Sequence, residues 1–166
     1  NNPFERKKIS HTGKIGTRYP KYSALQLAKG KQPFVNDLKF PDMLHAALRF
    51  SDHPRAKILS IDTSAAIKVP GVIRIFTAVD IPGNPKSGLI VQDWPLMIGE
   101  GGTTSCIGDA LAGVVAHDRA AARKAAGMIK VEYKILKPVT NLESALQPES
   151  PNVHEDTPNL LENYVI

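Results

Sequence analysis

Gly108-Asp109-Ala110-Leu111-Ala112-Gly113-Val114-Val115-Ala116-His117-Asp118-Arg119-Ala120-Ala121-Ala122-Arg123-Lys124-Ala125-Ala126-Gly127 carries the clearest structural instruction in the chain. Leu111 to Ala116 is a short unbroken apolar run, which suits a buried strand. Asp118 then stands where an N-cap belongs, its carboxylate able to accept an orphan amide of the first helical turn. From Arg119 to about Gly127 the period becomes helical. Ala121, Ala125 and Ile129 fall at i, i+4 and i+8, while Arg119, Arg123 and Lys124 can face water. Alanines on the inner face let such a helix lie close against a sheet.

Toward the N-terminus, Met43–Phe50 alternates as a half-buried strand. Leu44, Ala46, Leu48 and Phe50 share one face; His45 and Arg49 share the other, with His45 directed at solvent. Ser51-Asp52-His53-Pro54 is turn chemistry and places His53 in that turn. Ala56–Ile61 reads as a second strand, with Asp62 the N-cap of a short helix over Ser64–Lys68. Val69-Pro70-Gly71 stops that helix, and Val72–Phe76 follows as a third strand. Ser23–Leu27 alternates like a short strand before the turn-rich Lys29–Pro33. Residues 82–104 read as a long irregular excursion. Beyond the central helix, Lys130–Leu136 alternates with Val131, Tyr133 and Ile135 on one side, and Asn141–Leu146 adds a helical turn or two. Strands mixed with few helices and long connections predict an α+β domain, a mixed sheet with two or three short helices.

The 166 residues, 42% of them hydrophobic, suffice for one ordinary core. No run approaches the roughly 18–20 apolar residues of a membrane span, so no membrane partner is expected. The net charge of +5 is localised. Residues 1–31 hold eight Lys/Arg against Glu5 alone; residues 32–166 hold 13 basic and 15 acidic side chains. The excess is an N-terminal arm, which suits a solvated leader, a segment docked on a neighbour, or nucleic acid. No zinc-finger spacing or aromatic-basic motif supports the last. The single Cys106 excludes an internal disulfide and fits a cytoplasmic setting. The chain opens Asn1-Asn2-Pro3 without Met and closes on apolar Leu160–Ile166, so both ends read as cuts in a longer polypeptide.

Chemistry-bearing groups are sparse. Gly99-Glu100-Gly101-Gly102 lacks the lysine and hydroxyl of a phosphate loop and reads as a flexible surface loop. His11, His45, His53, His117 and His154 lie too far apart to pair locally; folding could gather them with Asp37 or Asp109, though no spacing predicts it. A Cys106–histidine dyad would be a nucleophile, but Ser105-Cys106-Ile107-Gly108 matches no cysteine-enzyme signature, and a lone cysteine is more often a small buried hydrophobe. Asp109 and Asp118 are expected at element ends, and no G-x-S-x-G elbow exists. No catalytic, cofactor-binding or metal-ligating residue is therefore assigned.

Taken in order, the segments resemble one family. Gly30-x-x-Pro33-Phe34-Val35-Asn36-Asp37 is similar to the opening of the hammerhead domain in the large subunit of xanthine dehydrogenases and aldehyde oxidases. Leu44–Ser51 and His53–Asp62 follow at the expected places. Ala65-Ala66, Pro70-Gly71-Val72 and Thr77-Ala78-Val79-Asp80-Ile81-Pro82-Gly83-Asn84 come next. Gly108–Ala116, Ala121–Ala126, Val131-Glu132-Tyr133, Pro138 and Glu143–Leu146 complete a match spanning roughly Gly30–Leu146. Phe34 replaces the usual Tyr, Pro54 a common Ala, and Asn84-Pro85 shortens one loop. The stretch Gly99–Thr104 looks closer to the selenium-dependent xanthine dehydrogenase branch than to mammalian-type enzymes.

The resemblance implies an α/β-hammerhead domain over 23–148, an extended basic arm over 1–22, and a 149–166 linker toward a molybdopterin-binding region. It implies a parent oxidoreductase that hydroxylates a purine, another heterocycle or an aldehyde using molybdenum-pterin, iron–sulfur clusters and FAD. None of these cofactors would be held by this segment, whose role would be structural. Its partners would be the remaining domains of the large subunit, together with the iron–sulfur and flavin domains or subunits. An isolated piece should expose apolar surface and self-associate. A small basic nucleic-acid module and a self-sufficient small enzyme are the alternatives.

Overall fold

A computed structural model describes residues 21–154 and 157–163. Of the expected arm over 1–22, only Lys21 and Tyr22 fall among them; His11 lies outside. The chain divides into two compact units, Asn1–Phe40 and Pro41–Ile166.

In the first unit, Ala24–Ala28 forms helix α1, not the expected strand. Ala, Leu and Gln are good helix formers, and five alternating residues are too few to outweigh that. Gly30, at φ +63°, closes the helix. Its N–H donates to Leu27 O (3.0 Å) and that of Lys31 to Gln26 O (2.8 Å), the two bonds of a Schellman motif. A 3₁₀ turn over Val35–Asp37 follows. There the Asp37 carboxylate accepts from the Phe34 N–H at 3.0 Å.

The second unit is built on β1 (His45–Phe50), β2 (Ala56–Asp62), β3 (Val72–Thr77), β4 (Lys86–Ser87), β5 (Trp94–Pro95), β6 (Ala110–Ala116) and β7 (Lys130–Ile135). Helix α2 (Arg119–Met128) joins β6 to β7, and α3 (Leu142–Ala145) follows β7. The α+β class stands. The expected mixed sheet does not: among the described residues every ladder is antiparallel, and the strands divide into β1-β6-β3, β2-β7 and β4-β5. The expected helix over Ser64–Lys68 contracts to a 3₁₀ turn at Ala66–Lys68, because Pro70 follows before an α-helix can propagate.

Helix α2 covers one face of the three-stranded sheet. Ala121, Ala122, Ala125 and Ala126 meet Ala112, Val114 and Ala116 of β6, with Ala66, Val69 and Ile129 closing the cluster. Asp118 caps the helix, accepting from Ala121 N–H at 2.8 Å. A second core unites Ile58 of β2, Ile98 and Leu111.

β1 presents the opposite face from the one expected. Ala47 lies opposite Val114, and cross-strand partners share a face, so His45, Ala47 and Arg49 point toward α2. The close approach of the alanine helix selects the short side chain there. Arg49 threads past it, donating Nε–H to Ile129 O at 3.3 Å. Leu44, Leu48 and Phe50 are left 48%, 46% and 45% exposed, and His45 is half-buried instead of solvent-facing.

Candidate functional site

A polar hollow of about 140 Å³ is lined by Arg55, Lys86, Asp93, Thr103, Ser105 and His154 among others. Its histidine comes from the C-terminal segment. His154 Nδ1 lies 3.1 Å from the Asp93 carbonyl and 3.4 Å from Asp93 Oδ2. The Trp94 ring is tilted against the imidazole, centroids 5.3 Å apart. Ser105 Oγ donates to Val153 O at 3.0 Å, and Arg55 Nη1 to Lys137 O at 3.2 Å. Each hydroxyl, imidazole or guanidinium contact named here ties one loop to another. Sequence spacing offered no signal for Asp93–His154, since 61 residues separate them.

Cys106 is half-buried, not the small buried hydrophobe expected. Its thiol meets Asp109 Oδ1 at 3.5 Å rather than a histidine. Burial first, and then the Asp109 charge, push the thiol pKa up, the opposite of an activated nucleophile. Asp109 itself closes the loop, accepting from Ser105 N–H (2.6 Å) and Cys106 N–H (3.2 Å). Asp109 and Asp118 are thus both element-end residues.

Gly99–Gly102 is pinned rather than free. Gly101 N–H donates to Ile58 O (2.8 Å), Gly102 N–H to Gly99 O (3.1 Å), and Gly102 O accepts from Ile58 N–H (2.9 Å). Glu100 Oε1 accepts from Ile61 N–H at 2.8 Å. Of the amides that could cradle a phosphate, that of Gly101 is spent on β2 and that of Gly102 within the loop. Gly101 adopts φ +83°, and a side chain at Gly102 would press on Ile98.

An ionic cluster ties the end of β1 and the turn after it to β7. Arg49 Nη1 donates to Asp52 Oδ1 at 2.9 Å, and the Tyr133 hydroxyl to Asp52 Oδ2 at 3.2 Å. The Arg49 hydrogen bonds, above all, hold the Asp52 carboxyl below its ordinary pKa, while burial raises that of Tyr133. His53 stands in its expected turn, edge-on to Tyr133 with ring centroids 4.9 Å apart.

Among the described residues no three His, Cys, Asp or Glu side chains gather as metal ligands. Asp37 and Asp109, the acids that might have joined histidines, are both occupied by backbone amides. The hollow beside His154, at about 140 Å³, is under the roughly 300–1,000 Å³ of a drug-sized ligand pocket, while a wide-open hollow of about 380 Å³ lies over Ser64, Lys68, Val69, Lys124 and Met128.

The chain is similar to known proteins in both sequence and fold. The profile of a family described as "Aldehyde oxidase and xanthine dehydrogenase, a/b hammerhead domain" matches residues 29–137. The chain belongs to this hammerhead family. The "Nicotinate dehydrogenase large molybdopterin subunit" of Eubacterium barkeri is 34% identical over 143 residues, covering 86% of this chain and 33% of that protein. "Xanthine dehydrogenase 1" of Arabidopsis thaliana is 34% identical over 137 residues, covering 82% of this chain and 10% of that protein. Among solved structures, the aldehyde oxidoreductase of Desulfovibrio gigas superposes with a TM-score of 0.78 at 30% identity, over 86% of this chain and 17% of that one. The hammerhead chain thus spans between about a tenth and a third of these relatives. Its family motifs have visible work. Asp37 and Asp80 each accept an amide three residues upstream, at Phe34 (3.0 Å) and Thr77 (2.8 Å), and Asp62 Oδ1 accepts from Ser64 N–H at 2.9 Å.

Proposed function

We propose that this chain is the structural hammerhead module of a larger molybdenum-dependent hydroxylase and holds no catalytic, cofactor or metal residue of its own. The supporting observation is where its groups are spent. Asp37, Asp62, Asp80, Asp109 and Asp118 all accept backbone amides of their own turns. Among the described residues no buried side-chain nitrogen or oxygen lacks a hydrogen-bond partner. Few polar atoms are left aimed at an outside group, which supports assigning the molybdenum-pterin group to the rest of the parent protein.

In the parent enzyme, molybdenum–pterin, iron–sulfur clusters and FAD would supply the chemistry for hydroxylating a purine, another heterocycle or an aldehyde with oxygen from water, and residues outside this module would hold them. This module packs beside the domains that hold them. Its body covers 23–148, its basic arm 1–22, and residues 149–166 lead toward the pterin-binding region. Its partners are those domains, in the cytoplasm, and not nucleic acid or membrane; among the described residues no helix is long and apolar enough to cross a bilayer. The selenium-dependent xanthine dehydrogenase branch is the placement we favour within the family.

The test compares the complete gene product with the 166-residue chain, measuring molybdenum by mass spectrometry and oxidation of purines and aldehydes. Metal and turnover are expected only in the former. Stoichiometric molybdenum or robust turnover in the 166-residue chain would overturn the reading.

A further inference from the structure

The excursion between β3 and β6 contains a small hairpin with an unusual tip. Its base is fixed by several bonds. β4 pairs with β5 at Lys86–Pro95 and Ser87–Trp94, and Leu96 N–H donates to Pro85 O at 2.8 Å. Asn84 Nδ2 donates to Gln92 Oε1 (2.8 Å), and Asn84 Oδ1 accepts from Lys86 N–H (3.0 Å). Trp94 leans on His154. The tip bends so tightly that any side chain at Gly88 would overlap the Val91 carbonyl, so glycine is obligatory there. Yet this built turn carries Leu89 and Ile90, 101% and 91% exposed, with Val91 at 48%. Hairpin tips ordinarily carry Gly, Asn, Asp or Ser. Two solvated aliphatics add nothing to the stability of this chain.

We propose that Leu89 and Ile90 form a docking knob that inserts into an apolar socket on a neighbouring domain of the same polypeptide. This rests on the reading above that the chain is one module of a larger protein, and it specifies a contact surface for that module. Size argues for an intramolecular occupant. Two buried aliphatic side chains remove only roughly 120–240 Å² from water. A stable dimer needs about 800 Å² from each partner, so knob against knob between two copies falls short. Within one polypeptide the loss of translational freedom is already met, and a small apolar contact suffices. Charge argues against a lipid surface. Gly88–Gln92 is neutral, and Lys86 is balanced by Asp93, leaving no basic rim for anionic headgroups. Relatives supply the room, since the matched region is 17% of the Desulfovibrio gigas chain.

The experiment places the photo-crosslinker p-benzoylphenylalanine at Ile90, and separately at Leu89, in the complete gene product and maps the adducts by mass spectrometry. Expected are intrachain cross-links to apolar residues outside residues 1–166, with yields independent of protein concentration. A second variant, Leu89→Ser with Ile90→Ser, should raise the rate of protease cleavage between residues 84 and 96 several-fold in the complete protein. Cross-links confined to a second copy, to residues 1–166, to added phosphatidylcholine–phosphatidylserine vesicles or to solvent, or an unchanged cleavage rate in the serine variant, would overturn the proposal. Molybdenum content separates the two readings: a molybdenum-loaded protein without the expected cross-links loses the knob alone, and a gene product ending at Ile166 loses both.

Discussion

Asp118 accepts from the Ala121 amide at 2.8 Å and starts the only helix among the described residues longer than five residues. Asp118→Ala should cost about 1 kcal/mol, seen as a lower urea midpoint at unchanged slope; an unmoved midpoint would show that packing alone holds the helix. Asp52, Asp62 and Asp80 each sit below the ordinary carboxyl pKa, through hydrogen bonds from Arg49, Ser64 and the Thr77 amide respectively. With folded pKa values depressed, the unfolded chain binds protons that the folded one does not. Their contribution is fully present above the unfolded value near pH 4 and is lost as pH falls through the folded values. Asp52→Asn should flatten part of that acid limb in urea titrations below pH 4, and an identical limb would show that Arg49 does not act through it. Cys106, with its pKa raised by burial and Asp109, should react with iodoacetamide at neutral pH more slowly than a free cysteine. A rate equal to free cysteine would contradict the geometry.

Helix α2 is the element most sensitive to size. Ala125, fully buried between helix and sheet, has no room for a larger side chain. Ala125→Leu should destabilise by about 1–3 kcal/mol in thermal or urea unfolding, whereas exposed Lys124→Ala should stay within about 0.5 kcal/mol. An equal response at both positions would mean that the helix does not pack where it is placed. Elements whose signals lie inside one window were legible in the sequence: α2 with its cap Asp118, a helical turn or two within Asn141–Leu146, and the stop at Gly71 with φ +88°. Two kinds were not. α1 is too short for period to decide, and Gly30 settles it through the Schellman bonds. β4 and β5 are two residues each, below the length at which alternation exists.

For the molecule as a whole, the half-exposed apolar face of β1 governs how the 166-residue chain behaves in solution. Leu44, Leu48 and Phe50 stand opposite the helix-covered face. The 166-residue chain should therefore self-associate, read as concentration-dependent light scattering, and Leu48→Ser should reduce it; strict monomers at high concentration would contradict this. The sequence by itself determined the α+β class, the strand–cap–helix centre, the element-end placing of Asp109 and Asp118 and the family, because each is carried by short segments whose signals are local. Only tertiary structure decided which face of β1 is covered, that Gly99–Gly102 is bonded to β2, and that Asp93 meets His154. Those outcomes depend on how closely an alanine helix approaches a sheet and on which distant backbone groups need partners, and neither is recorded in local periodicity.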